Sequence, residues 1–170
     1  GRDCLKESQF SKKQVDLLTY AGVYRTDFLT EPAIAALLAG DLKMNDLCNP
    51  DAPHKTLALD VFNGSVGPLN ACYLASELAR AGRLQKAMIV ASEVENNRHE
   101  SPEDLLGLRE MGSAFILHES EDGETGFQAF SFYYFDEHYD AIKVTGTWNE
   151  RGRPYLISEI ADDVEQMYLD

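Results

Sequence analysis

The sequence predicts an α/β protein whose largely parallel sheet is covered by helices on both faces. Three observations carry this. Short continuous apolar runs at residues 14–23, 57–61 and 86–92 read as buried strands, and the run 112–117 as a fourth strand. Helical patterns fall between them, as crossover connections of a parallel sheet require. Residues 56–82 (TLALDVFNGSVGPLNACYLASELARAG) run from strand through a small-residue turn into an amphipathic helix, and the other elements are arranged around that unit.

In order, residues 1–13 form a polar segment that opens on Gly1, without Met and without a strand pattern, as in a piece of a longer or processed chain. Residues 14–170 are read as one domain. The run 14–23 (QVDLLTYAGV) is a strand with a polar exit at Tyr24, Arg25, Thr26 and Asp27. Thr30-Glu31-Pro32 is a helix start, combining a capping hydroxyl, an acid for the first turn and a proline that needs no donor there. That helix spans 32–39 and stops at Gly40, and residues 41–55 are read as a loop. After the strand 57–61 and the turn at Asn63 and Gly64, a second helix reaches about Gly82. Val66, Leu69, Cys72, Leu74, Ala75, Leu78 and Ala79 lie on one broad face of it. The strand 86–92 ends at Glu93, and 94–110 is a polar, acidic excursion. A strand at 112–117, a turn at 121–123, a long aromatic strand at 126–135 and a terminal helix at 158–169 complete the prediction. In that last helix Ile160, Val164, Met167 and Tyr168 share a face.

Composition bounds the function. The chain has 170 residues, 44% of them hydrophobic, which is enough for a real core. A net charge of −14 argues against nucleic acid and anionic membrane as partners, since both would repel it. Cys4, Cys48 and Cys72 stand in no metal or disulfide spacing, and no metal is expected. With no apolar run of spanning length and no signal peptide, the reading is a soluble, cytoplasmic protein.

In sheets of this class chemistry gathers at the carboxyl ends of the strands. Ser65 and Glu93 are both predicted at that edge. Ser65 stands where strand gives way to helix, at free backbone N–H groups and the positive end of a helix dipole. That position suits a nucleophile with a ready oxyanion site, and it equally suits an ordinary N-cap. Asn63 is read as fixing the turn through its side chain. Glu93 is a candidate acid, or a strand-end residue that bonds locally.

The segment Asp60-Val61-Phe62-Asn63-Gly64-Ser65-Val66-Gly67 resembles the nucleophile segment of the thiolase-fold condensing enzymes. The nearest resemblance is to 3-oxoacyl-(acyl-carrier-protein) synthase III and the head-to-head condensing enzymes of olefin biosynthesis. Val15-Asp16-Leu17-Leu18, Glu31-Pro32-Ala33, Lys86 to Glu93 and Gly112-Ser113-Ala114 match further segments in the same order. The resemblance implies one half of a duplicated thiolase-like fold. It also implies a site at Ser65 with Asn63, Gly64 and Gly67 around the substrate, and no cofactor beyond an acyl-CoA or acyl-carrier-protein thioester as substrate. Its implied partners are a second copy of the chain or a companion thiolase-like chain. In the olefin-type relatives a glutamate before Pro-Ala acts as a base across the dimer, and Glu31 matches it. The plainer reading of Glu31 is a first-turn acid of the following helix.

Two departures qualify this. Ser65 stands where the family has cysteine, and a serine hydroxyl needs a stronger base and forms a less reactive ester. None of His54, His99, His118 and His138 matches the family's catalytic histidine, so a partner or further segment must supply the base. The resemblance also places the family's first strand in the middle of the sheet, before Gln14, where residues 1–13 are too polar to provide it. The leading function is acyl transfer of the synthase III type, in fatty-acid or polyketide-like biosynthesis. The alternative is a non-catalytic thiolase-like subunit that shapes a partner's site. A serine hydrolase is a third reading, but the turn has Asn63 where G-x-S-x-G needs its first glycine.

Overall fold

The computed structural model describes residues 1–25, 31–45, 55–94 and 110–167. The chain divides into two compact units. The first comprises Gly1–Arg25, Leu29–Glu93 and Met111–Phe130. Its elements are α1 (Arg2–Ser8), β1 (Leu17–Tyr20), α2 (Ile34–Asp41), β2 (Leu57–Asp60), α3 (Gly67–Arg80), β3 (Lys86–Glu93) and β4 (Met111–His118). The four strands form one sheet in the order β2-β1-β3-β4. The β1 pairings with β2 and β3 are parallel, and the β3–β4 pairing is antiparallel.

Strand alternation decides which helix each residue meets. Leu18, Tyr20, Met88 and Val90 face the cluster containing Ala35 and Ala39 of α2, with Cys4 and Leu5 of α1 packed at its side. Leu17, Ala87 and Ile89 point to the other face, against Ala71, Cys72 and Ala75 of α3. The sheet is thus covered on both faces, as the continuous apolar runs of β1 and β3 require. Small residues on α3 let the helix lie close. Thr19 is buried in β1, and its hydroxyl has no partner among the described residues.

Several expectations need correction. The polar segment 1–13 contains a helix, α1, and a short 3-10 turn (Lys12–Gln14) closed by a capping box between Ser11 and Gln14. No gap awaits a central strand, because β1 bonds directly to both β2 and β3. β2 was expected to be buried, yet Leu57 is 56% exposed, since β2 lies at the edge of the described sheet. α2 begins at Ile34, two residues later than expected, and runs past Gly40 to Asp41. Thr26, Asp27, Thr30, Cys48, His54, His99, Tyr168, Leu169 and most of the 94–110 excursion, for which the sequence raised expectations, lie outside the described residues.

The second unit comprises Thr26–Phe28, Val94–Glu110 and Ser131–Asp170. Its described part is an antiparallel hairpin of β5 (Ile142–Trp148) and β6 (Pro154–Ile160), followed by a one-turn helix α4 (Val164–Met167). The expected helix at 158–169 is therefore a strand end and a short helix. Tyr155, Ile157 and Ile160 are strand formers and find partners on β5, which outweighs the accidental helical spacing. β5 was missed, although Ile142, Val144, Thr145 and Thr147 before a turn containing Gly152 are a strand-and-hairpin signal. The expected aromatic strand at 126–135 is irregular backbone. Gly126 opens it at φ 104°, and no described strand pairs with it.

Candidate functional site

Because β1, β2 and β3 are parallel, their carboxyl ends share one edge of the sheet. Ser65 and Glu93 both lie at that edge, as expected. A 3-10 turn, Gly64–Val66, joins β2 to α3. Gly64 has φ 51°, a left-handed conformation that a side chain would oppose. Gly67 lets the start of α3 approach the strand ends. A Cβ there would stand 3.3 Å from the Val61 carbonyl oxygen and 3.7 Å from that of Gly22.

This geometry removes one of the two readings of Ser65 left open by sequence, the N-cap of the helix. The N-cap of α3 is Val66, and Pro68 occupies its first turn, so Ser65 is not the cap. It is exposed within the 3-10 turn, and its hydroxyl bonds to none of the described residues. Such a turn leaves its first N–H groups without partners inside it, so donors for a developing negative charge accompany the hydroxyl. Asn63 does not act as expected. It has φ −155° and ψ 57°, makes no side-chain cap bond, and leaves the left-handed position to Gly64.

Glu31 is exposed and lies outside α2, so it is not a first-turn acid of that helix. Asp60, at the end of β2, takes that role. Its Oδ2 accepts from the Ile34 N–H at 2.9 Å and its Oδ1 from the Ala35 N–H at 2.8 Å. Oδ2 also pairs with the Arg25 guanidinium at 3.2 Å, and the Asp60 side chain is only 4% exposed. Sequence reading passed over Asp60 except as part of a motif. Its only signal was an acid at the end of an apolar strand.

A chain of contacts continues along this edge. Arg25 lies over the Phe62 ring at 4.9 Å, and Phe62 meets Tyr20 edge-on at 5.8 Å. The Tyr20 hydroxyl donates to the Ser92 carbonyl at 2.6 Å and accepts from the Ser92 hydroxyl at 3.2 Å. Glu93 accepts from the Val23 N–H at 2.6 Å. Burial pushes the Glu93 carboxyl above its ordinary pKa, and the bond from Val23 only partly opposes this. Burial also raises the Cys72 thiol, which packs beneath α3 as a core residue.

Within the first unit, no described histidine serves Ser65. His118 pairs in register with Lys86, the first residue of β3, and so lies at the opposite edge. It is exposed, with Phe10 edge-on to its ring at 5.3 Å. His138 belongs to the second unit, stacked on Phe135. A cavity of about 390 Å³ lies at the far end of α3, around Ala75, Ala79, Arg80, Leu117 and Phe127, and does not include Ser65. Among the described residues no cluster of three His, Cys, Asp or Glu side chains could hold a metal, and no helix is long and apolar enough to cross a membrane.

No protein-family model matches the sequence, and no curated protein matches it. Solved structures do match the fold. The priming β-ketosynthase of the R1128 polyketide pathway superposes with a TM-score of 0.71 at 16% identity, over 93% of this chain and 46% of its own. A cysteine-to-serine variant of OleA from Xanthomonas campestris, solved with lauric acid and lauroyl-CoA, gives 0.66 at 19% identity, over 90% and 47%. The 3-oxoacyl-(acyl-carrier-protein) synthase III of Aquifex aeolicus gives 0.60 at 16% identity, over 91% and 46%. The chain spans about half the length of these structures. Its fold is one half of the thiolase-like architecture of these condensing enzymes.

Proposed function

We propose that this chain provides the nucleophile half of an acyl-transfer site of the synthase III type. An acyl group from a coenzyme A or acyl-carrier-protein thioester passes to Ser65, the thiol leaves, and the ester then meets a carbon, oxygen or nitrogen nucleophile. The observation that carries this reading is the state of Ser65. It is exposed on a 3-10 turn at the carboxyl edge of the sheet, released from any capping duty. The base comes from outside the described residues, from a second copy of the chain or from a companion thiolase-like chain. Glu31, exposed and outside α2, is the candidate acid to reach a neighbouring site in such an assembly. That one neighbour of this fold holds lauroyl-CoA with a serine in place of a cysteine supports acyl-thioester binding without a thiol.

The second reading is a non-catalytic subunit, favoured by the lack of any described histidine beside Ser65 within the first unit. Intact mass separates the two, using the chain with whatever co-purifies after incubation with mixed acyl-coenzyme A thioesters. Acyl transfer predicts an adduct on this chain that disappears in Ser65→Ala and forms faster in Ser65→Cys, whose thiolate is the stronger nucleophile. An adduct confined to a partner chain would establish the scaffold role. No adduct on any chain, including Ser65→Cys, would remove acyl transfer.

A further inference from the structure

We infer that Asp60 is a positioning residue that sets the Ser65 turn and the approach to α2 in one frame; the inference rests on reading Ser65 as the acyl acceptor. Three donors converge on its carboxylate: two N–H groups of α2 and the Arg25 guanidinium. They come from the start of α2 and from the exit of β1, whereas Asp60 itself ends β2. A carboxylate is what such a position requires. An amide would aim its NH₂ at one of these donors, and an apolar side chain would leave the two N–H groups of α2 without this acceptor.

The Ser65 turn is tied to the same point. Val61 follows Asp60 directly, and its N–H donates to the Tyr20 carbonyl at 2.8 Å. The carbonyl of Val61 sits 3.3 Å from where a Cβ on Gly67 would stand, so the turn folds back onto the Asp60 segment. On its other side, Asp60 seats the first turn of α2, three residues after Glu31. Moving Asp60 therefore moves the nucleophile and the candidate acid together. A misplacement of about 1 Å at a reacting group can lower a rate by ~10²-fold.

The experiment uses Asp60→Asn, Asp60→Glu and Arg25→Gln, each with Ser65 and again with Ser65→Cys. Arg25→Gln keeps α2 capped and covers the case in which Asp60→Asn fails to fold. Two rates are read at a temperature where circular dichroism shows each variant folded. One is acyl-adduct formation on Ser65 at saturating acyl-coenzyme A. The other is iodoacetamide alkylation of the Ser65→Cys thiol, which needs no thioester. Both rates are expected to change by about tenfold or more in Asp60→Asn, less in Arg25→Gln, with partial recovery in Asp60→Glu. A purely structural role would lower melting temperature and leave both rates of the folded protein in place. Altered alkylation without any adduct on the parent chain would remove acyl transfer and leave the positioning role standing. Alkylation rates that coincide in all variants would overturn the positioning role, whatever the adducts show.

Discussion

Glu93 holds two opposing tendencies in one side chain. Burial disfavours its charge, and the Val23 N–H that it accepts favours it; burial is the larger effect, so its pKa is raised. A carboxyl raised on folding contributes stability below its unfolded pKa, and that contribution is lost as pH rises through the folded value. Glu93→Gln keeps an acceptor for Val23 and removes the charge. Urea midpoints between pH 4 and 8 should show the variant gaining on the parent as pH rises above the ordinary glutamate range. A gap that stays constant with pH would count against the burial effect. Gly22 is a second residue-scale constraint, because a Cβ there would lie 2.7 Å from the Tyr20 hydroxyl. Gly22→Ala should cost about 1–3 kcal/mol through overpacking and displace the Tyr20–Ser92 bond. Tyr20→Phe, which removes only the hydroxyl, should cost about 1 kcal/mol; equal losses in the two variants would show that the bond alone matters. Ser65 was visible in the sequence as an outlier within a recognisable turn. The role of Asp60 was not, since its donors Arg25, Ile34 and Ala35 are 25 or more residues away along the chain.

At the scale of elements, the parallel strands and α3 were legible because their patterns are strong. β1 and β3 are continuously apolar where they cross the core, and α3 repeats small and apolar residues every three to four positions. Fully buried Ala71 and Ala75 set how near α3 lies to the sheet. Ala71→Leu should therefore destabilise by about 1–3 kcal/mol, read from denaturant midpoints, whereas the same change at exposed Ala36 of α2 should move stability by less than about 0.5 kcal/mol. The terminal region was misread for the complementary reason. Residues 158–169 carry a spacing compatible with a helix, and only pairing with β5 makes Pro154–Ile160 a strand. The start of α2 was misplaced because its cap comes from Asp60 on β2, which local reading cannot supply.

At the scale of the whole molecule, the two units differ in how much they bury. The first holds the fully buried side chains Tyr20, Leu17, Leu18, Met88 and Ile89. In the second, Tyr133, Tyr134, Tyr139 and Trp148 are 70–83% exposed, and its described sheet has two strands. A two-stranded sheet is marginal by itself. Trp148 is the single tryptophan, so its fluorescence reports on the hairpin. Fluorescence unfolding should precede the far-ultraviolet circular dichroism transition in urea, and coincident curves would show one cooperative unit instead. The sequence by itself determined the α/β class, the strand–turn–helix unit around Ser65 and the likeness to half of a thiolase-like fold. The first two follow from apolar periodicity and small-residue turns, which act between near neighbours, and the third from the resemblance of its motifs to family segments. Only the tertiary structure decided that Ser65 is free of capping duty, that Asp60 caps α2, that β1 fills the centre of the sheet, and that the terminal region forms a hairpin. Each of these depends on partners brought together by folding, and periodicity along a chain does not encode which distant groups will meet.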